Sequence, residues 1–274
     1  MTLPTVPDSF YWTPSACGPV LKCRPLEGVA AHLFTTRDLQ LSTAGEWRRA
    51  GDLLGVAEVV TLNQIHGREV VASRRGSRRG SQPTARRDGD VLVSDDPDEA
   101  IAVRAADCVP LLLADSRTGV VAAVHAGWRG TAAGAAAAAV EALAREFGAR
   151  PEDLVAAIGP CIGACCYDVG TELVDAFAAA GHARYLIDRW FLATPPQRGR
   201  GERPRLRLDL VAANRDQLML AGLPEENISA SGLCTAMHLD VLTSYRAEKE
   251  QAGRMAGIIR ARSSKVTAGG TSRA

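Results

Sequence analysis

The stretch Asp107-Cys108-Val109-Pro110-Leu111-Leu112-Leu113-Ala114-Asp115, followed by Val120-Val121-Ala122-Ala123-Val124-His125-Ala126-Gly127-Trp128-Arg129-Gly130, decides the reading of this chain. Two apolar runs flank Ser116-Arg117-Thr118-Gly119, a segment with the composition of a turn. In an antiparallel hairpin the start of the first strand lies beside the end of the second. The Cys108 thiol and the His125 imidazole are therefore expected to meet at one end of a sheet. A soft thiolate beside an imidazole suits zinc, copper or thiol nucleophilic chemistry.

Working outward, Thr131–Phe147 is alanine-rich, with Val140, Leu143 and Phe147 on one face, and reads as a single amphipathic helix stopped by Gly148. Val29–Thr36, Val59–Leu62, Ala100–Val103 and Leu154–Ile158 read as strands, and apolar character resumes at Glu69–Val71. Glu46–Leu54 and Thr171–Ala180 read as helices. Asp209 reads as the N-cap of a third helix, Leu210–Ala221, ended by Gly222. One internal echo stands out. The segment Gly148-Ala149-Arg150-Pro151-Glu152-Asp153, a strand, Gly159 and Cys161 recurs as Gly222-Leu223-Pro224-Glu225-Glu226-Asn227, a strand, Gly232 and Cys234. It suggests two related helix–turn–strand units.

The bulk numbers leave an ordinary globular protein. The chain has 274 residues, 46% hydrophobic and 23% charged, with a formal net charge of +1. That balance gives no global argument for nucleic acid or an anionic membrane. No secretory signal and no apolar run long enough to span a bilayer is present, so a cytoplasmic location is expected. Seven cysteines form an odd set, which fits reduced thiols better than a disulfide framework. Ser73–Asp88 carries six arginines among Gly, Ser, Gln and Pro. Without aromatic residues to stack bases, it reads as a solvated loop. Pro195–Pro204 reads as a mobile loop. The expected boundaries are an N-terminal extension over 1–28, one catalytic domain over 29–262 and a frayed tail over 263–274.

Five histidines are present: His32, His66, His125, His182 and His238. Two of them, in Ile65-His66-Gly67 and Val124-His125-Ala126-Gly127, stand where apolar strands give way to glycine-containing turns, where function is usually mounted. With Cys108 they make a His₂Cys set, and three protein ligands with an open position is the pattern of a catalytic zinc site. Gly127-Trp128-Arg129-Gly130-Thr131 leads directly into the alanine-rich helix, so an anion could sit at that N-terminus with Arg129 beside it. Cys161, Cys165 and Cys166 lack the spacing of a cytidine-deaminase zinc site, and no His-x-Glu accompanies them, so a structural role is expected. Cys17 and Cys23 read as inert. Arg246 is available for an anionic group or for a surface ion pair with Glu248 or Glu250. Asp107, next to Cys108, is expected on the opposite strand face.

Taken together, Asn63-Gln64-Ile65-His66-Gly67, Asp88-Gly89-Asp90, Ala106-Asp107-Cys108-Val109-Pro110, His125-Ala126-Gly127-Trp128-Arg129-Gly130, Gly159-Pro160-Cys161-Ile162, Cys166-Tyr167, Asp209-Leu210 with Asn214, Cys234-Thr235 and Ser244-Tyr245-Arg246 resemble the YfiH family, also called the laccase-domain (DUF152) or FAMIN family. They occur in family order over roughly residues 29–259. The resemblance implies a single α/β (α+β) domain of mixed sheets flanked by helices. It implies a zinc site on His66, Cys108 and His125, and phosphorolysis of adenosine, inosine or methylthioadenosine, with adenosine deamination besides. The small-molecule partners would be a nucleoside and phosphate, contacted by Asn63, Gln64, Arg37, Arg129 and Arg246. Two other activities go with the family: copper-dependent polyphenol oxidation, and a cysteine hydrolase or amidase that edits peptidoglycan precursors. This chain departs from the family pattern in Asp38–Ala44, where a glycine-rich stretch is usual, in Leu242-Thr243 before Ser-Tyr-Arg, and in Ala247 after it.

Overall fold

A computed structural model describes residues 2–76, 86–194 and 205–262. Most of the arginine-rich loop, all of the Pro195–Pro204 segment and the tail over 263–274 lie outside the described residues.

The hairpin forms as its sequence requires. Strand β8 (Val109–Asp115) pairs antiparallel with β9 (Val121–Ala126), Val109 opposite Ala126 and Pro110 opposite His125. The turn between them is organised by the buried Asp115 carboxylate, which accepts from the backbone N–H of Arg117 at 2.7 Å and of Thr118 at 3.0 Å. Every residue of both strands is buried. Both faces of these strands are covered, which explains continuous apolar runs in place of alternation.

Three further layers build outward. The central sheet runs β14 (Ile228–Ala230), β10 (Leu154–Ile158), β8, β9, β6 (Val91–Ser94), β5 (Val70–Ser73). One face of it, through Leu92, Leu112, Ala114, Val121 and Ala123, packs on a second sheet through Phe34, Ile101, Val103 and Ile259. That sheet runs β1 (Phe10–Thr13), β2 (Val20–Cys23), β3 (Ala31–Phe34), β15 (Met255–Arg260), β7 (Ala100–Ala105), β4 (Val59–Thr61). Its outer face is covered by helix α2 (Ala44–Asp52), which follows the short α1 (Arg24–Glu27). Thr43 and Glu46 form a reciprocal capping box that starts α2. A small third sheet, β11 (Asp168–Val169), β13 (Arg205–Leu208), β12 (Phe191–Thr194), completes the strands. The mixed α/β architecture agrees with expectation. Ahead of β3 in the chain, β1 and β2 extend the second sheet antiparallel from it.

The far face of the central sheet is covered by helices. Here the sequence reading needs correction. The alanine-rich stretch is two helices, α3 (Trp128–Ala133) and α4 (Ala135–Phe147), broken at Gly134, whose φ of 83° ends one and begins the other. Alanines 135, 136, 139 and 142 of α4 are buried against the sheet, where a small side chain lets the helix approach closely. The break is held by α7 (Leu210–Leu220): Asn214 Nδ2 donates to Thr131 Oγ1 at 3.0 Å and Gln217 Nε2 to the Thr131 carbonyl at 2.7 Å. Helices α5 (Thr171–Ala179) and α6 (Arg184–Trp190) bury Phe177 and Trp190 beneath them. Helix α8 (Tyr245–Glu248) lies near the C-terminus. Among the described residues no helix is long and apolar enough to cross a membrane.

The internal echo corresponds to real geometry. Helix α4, a 3₁₀ turn at Pro151–Asp153 and β10 are matched by α7, a 3₁₀ turn at Glu225–Asn227 and β14. The two strands pair in parallel, and their continuations meet at a bridge between Cys161 and Cys234.

Candidate metal centre

Asp90 organises the site. It precedes β6, in which Val91 lies opposite Val124 of β9, so the register sets Asp90 beside His125. Its fully buried carboxylate accepts His125 Nδ1–H at 2.8 Å. The same carboxylate accepts from the backbone N–H groups of Ile65 (3.2 Å), His66 (3.0 Å) and Gly67 (2.7 Å). His66 has a φ of 62°, a left-handed conformation that costs a non-glycine residue about 1–3 kcal/mol and persists only where its surroundings fix it. Asp90 supplies that fixing. Burial works against the Asp90 charge, but the His125 and Gly67 hydrogen bonds hold its carboxyl below the usual range.

With Nδ1 committed to Asp90, His125 presents Nε2 to the cleft. Cys108 follows Asp107, whose φ is 93°, and stands opposite the β9 terminus. Gly127 makes room: a Cβ there would come within 2.7 Å of Cys108 Sγ and 3.5 Å of His66 Cδ2. The imidazoles of His66 and His125 meet edge to face with centroids 4.9 Å apart. The donor atoms of His66, Cys108 and His125 all lie within 4.8 Å of one another. Donors sharing one tetrahedral ion stand roughly 3.3–3.8 Å apart for bonds of 2.0–2.3 Å, so only a small inward movement separates this set from coordination. His66 is exposed and His125 buried, which leaves the cleft side open.

The electrostatics favour the ligand form of the thiol. Burial opposes ionisation of Cys108, yet its hydrogen bonds with His125 and His66 bring it down to about 6. Burial would lower His125, but its bonds to Asp90 and Cys108 lift it to about 9. Both shifts run in the direction that favours a thiolate beside an imidazolium. The fit to a metal thus rests on a convergent His₂Cys donor set, an ionised sulfur and a carboxylate that orients one imidazole.

The trio forms the foot of a cleft of about 670 Å³ with a basic wall of Arg104, Arg129, Arg246, Lys249 and Arg254. Arg129 stacks on Trp128, guanidinium to ring centroid 4.3 Å, and makes no ion pair among the described residues. Arg246 lies 5.0 Å over the Tyr167 ring and donates to the Asp168 carbonyl at 2.9 Å, in place of the ion pair with Glu248 or Glu250. Asp107 is not on the opposite face. Its left-handed backbone breaks strand alternation, and its carboxylate lines the cleft, accepting from Thr235 Oγ1 and the Arg246 backbone N–H, both at 2.6 Å.

Three other sequence candidates stand differently. Asn63 donates to Asp88 at 2.6 Å and does not line the cleft. Gln64 lines it, but both amide ends are taken by the Arg104 backbone, at 2.8 and 2.9 Å. Arg37 is engaged by the Leu239 carbonyl and by Glu248, the latter at 3.0 Å, and lies outside the cleft wall. The six-residue α3 also removes the long helix from behind Arg129, so the positive charge facing the cleft lies on its arginine and lysine side chains, not at a long helix N-terminus. His32 and His182 bond backbone groups, Cys23 N–H and the Ala132 carbonyl, away from the cleft. Sequence reasoning missed the role of Asp90 and the presence of Arg104, Lys249, Arg254 and Tyr167. For Asp90 the signal was Asp88-Gly89-Asp90 immediately before a strand. For Tyr167 it was the Cys166-Tyr167 piece, and for Arg104, Lys249 and Arg254 no local signal existed.

Residues 27–262 match the family model described as multi-copper polyphenol oxidoreductase laccase. The chain is 37% identical over 213 residues, 77% of its length and 74% of the relative's, to a purine nucleoside phosphorylase of Deinococcus radiodurans. It is 41% identical over 146 residues, 53% of its length and 52% of the relative's, to an adenosine deaminase from an unknown prokaryotic organism. The crystal structure of Bacillus licheniformis hypothetical protein YfiH superposes with a TM-score of 0.77 at 28% identity, covering 92% of this chain and 99% of that one. On the match over residues 27–262 and the likeness to these relatives, the chain belongs to the laccase-domain family that includes YfiH.

Proposed function

We propose that this protein is a zinc-dependent purine nucleoside phosphorylase acting on adenosine, inosine or methylthioadenosine. The observation that carries the reading is the convergence of His66, Cys108 and His125 at the foot of a cleft with a basic wall, in a chain whose relative from Deinococcus radiodurans is named for that activity.

In this reading His66, Cys108 and His125 would hold the zinc, which would supply Lewis-acid polarisation of a substrate oxygen. Asp90 fixes the tautomer and direction of His125 and the shape of the His66 turn. Arg129 and Arg246 bind phosphate as forked donors, with Lys249 and Arg254 adding charge behind them. The exposed Tyr245 ring, also on the wall, offers a face for the purine. Held there, phosphate attacks the anomeric carbon as the glycosidic bond breaks, giving ribose 1-phosphate and the free base. The proximity of the two bound reactants supplies much of the rate. Thiolate chemistry at Cys108 requires reduced cysteine, which fits a cytoplasmic setting.

A second activity has a specific observation behind it. The deaminase relative favours adenosine deamination at the same centre, with water in the place of phosphate. The Cys108–His125–Asp90 line would also serve a thiol nucleophile, but that chemistry gives His66 no task, whereas a metal uses all three side chains. Zinc-loaded protein incubated with inosine and phosphate is expected to release hypoxanthine and ribose 1-phosphate in equal amounts, and metal-stripped protein to release neither. Equal base release with and without phosphate would contradict phosphorolysis, and ammonia from adenosine would measure the deaminase activity separately.

A further inference from the structure

A second cluster of thiols stands apart from the His66–Cys108–His125 centre. Cys165 and Cys166 come from the loop after β10, and Cys234 follows β14. Their sulfurs all lie within 4.8 Å of one another. The repeated helix–turn–strand unit brings them together: parallel pairing of β10 with β14 continues into a backbone pairing of Cys161 with Cys234, both free thiols, which delivers Cys234 to the loop of the first copy.

We propose that Cys165, Cys166 and Cys234 form a binding site for a thiophilic d¹⁰ cation, Cu(I) or Zn(II), separate from the catalytic centre. Four observations carry it. Cys165 Sγ and Cys166 Sγ are 3.6 Å apart, close to the roughly 3.8 Å between two thiolates that share an ion with bonds of 2.3 Å. Gly163 N–H donates to Cys234 Sγ at 3.2 Å, a bond that fixes the position of that sulfur within the cluster. Gly163 also keeps the cluster open, because a Cβ there would sit 3.3 Å from Cys165 Sγ and 3.6 Å from Cys234 Sγ. Finally, the three residues grade from exposed Cys165 through half-buried Cys166 to buried Cys234, which gives an ion both a seat and an entry path. Three soft donors without an imidazole or carboxylate select soft ions over magnesium or calcium. A disulfide between the adjacent pair is disfavoured, since a trans peptide holds neighbouring Cα atoms 3.80 Å apart and disulfides usually need at least 4.4 Å.

Each thiol gives its proton to solvent as it becomes a ligand. The bound ion ties the loop that carries Tyr167, on the cleft wall, to the segment that carries Thr235, the partner of Asp107. This site requires nothing of the nucleoside reading.

The test is metal uptake by the full-length chain under reductant, in separate titrations with Cu(I) and Zn(II) against chelators of known affinity. Wild-type protein should take up one equivalent beyond the one removed by Cys108→Ala. Cys165→Ser, at an exposed position, should lose that extra equivalent or weaken it at least tenfold, while keeping the Cys108-dependent one. Cobalt(II) gives an independent readout: its thiolate charge-transfer band should fall by the larger share in the double variant Cys165→Ser/Cys166→Ser and by the smaller share in Cys108→Ala. Uptake confined to the Cys108-dependent equivalent with both ions would overturn the proposal. So would an extra equivalent bound equally well by Cys165→Ser and Cys166→Ser.

Discussion

The Asp90 carboxylate accepts the Nδ1–H of His125 at 2.8 Å while the register of β6 against β9 holds the two residues side by side. One buried acid thereby fixes the ring of one ligand and, through three backbone N–H groups, the strained turn that carries another. Replacing Asp90 by Asn keeps the size but gives up the charge. Loss of such an outer partner typically weakens metal affinity or activity 10–100-fold. Asp90→Asn is therefore expected to bind zinc about 10–100-fold more weakly in chelator competition, with its circular dichroism unchanged. Wild-type affinity in this variant would mean that the turn and ring are fixed by something else.

The thiol of Cys108 should titrate near 6, not near its ordinary 9. The reactive species is the thiolate, which forms as pH rises through the pKa, so alkylation of metal-stripped protein by iodoacetamide should rise through an inflection near pH 6 and then level. At pH 7 about 90% of the thiol would be ionised against about 1% for an ordinary cysteine, but a less basic thiolate is also a weaker nucleophile, roughly thirtyfold here. The net rate gain is only about threefold, so the inflection is the informative readout. Zinc should protect Cys108, because the ion occupies its lone pair. An inflection near 9 would remove the imidazole contacts from the account.

Arg129 and Arg246 are expected to act on phosphate. Charge-assisted hydrogen bonds contribute roughly 1.5–3 kcal/mol, so Arg129→Ala or Arg246→Ala should raise the KM for phosphate about 10–100-fold and leave that for the nucleoside within a few-fold. Phosphate-dependence curves at saturating inosine test this. A rise confined to the nucleoside KM would reassign both side chains to the base or ribose.

Gly134 holds α3 and α4 apart with φ at 83°. A Cβ there would meet nothing nearer than Arg68 Nη1 at 3.7 Å, so the cost of Gly134→Ala is conformational alone, about 1–2 kcal/mol. For a chain of this size that lowers Tm by a few °C. Thermal unfolding of the variant measures it, and an unchanged Tm would show that the break can close into one helix.

Much of the framework was legible because strong local signals agreed with the tertiary result. The apolar runs around the Ser116–Gly119 turn formed the hairpin, and Cys108 met His125 as antiparallel pairing requires. Asp209 capped α7. The readings failed where context overrode composition. Alanine propensity alone favours one long helix, but the clamp of Asn214 and Gln217 on Thr131 and the left-handed Gly134 divide it. Arg129 and Arg246 were legible as candidates, but the rest of the basic wall was hidden because Arg104, Lys249 and Arg254 join them only through the fold. Asn63, Gln64 and Arg37 carry the right chemistry, yet each is held by a partner that sequence spacing could not reveal. Cys234 joined Cys165 and Cys166 through a strand pairing hinted at only by the faint internal echo.

Anomalous diffraction at the zinc edge from zinc-loaded crystals tests directly whether His66, Cys108 and His125 share one metal ion, because it resolves separate ions in space. The expected result is an anomalous peak about 2.3 Å from Cys108 Sγ and about 2.0–2.1 Å from a ring nitrogen of each histidine, absent from crystals of Cys108→Ala. A phosphorolytically active, zinc-loaded crystal with no peak at that point would contradict it.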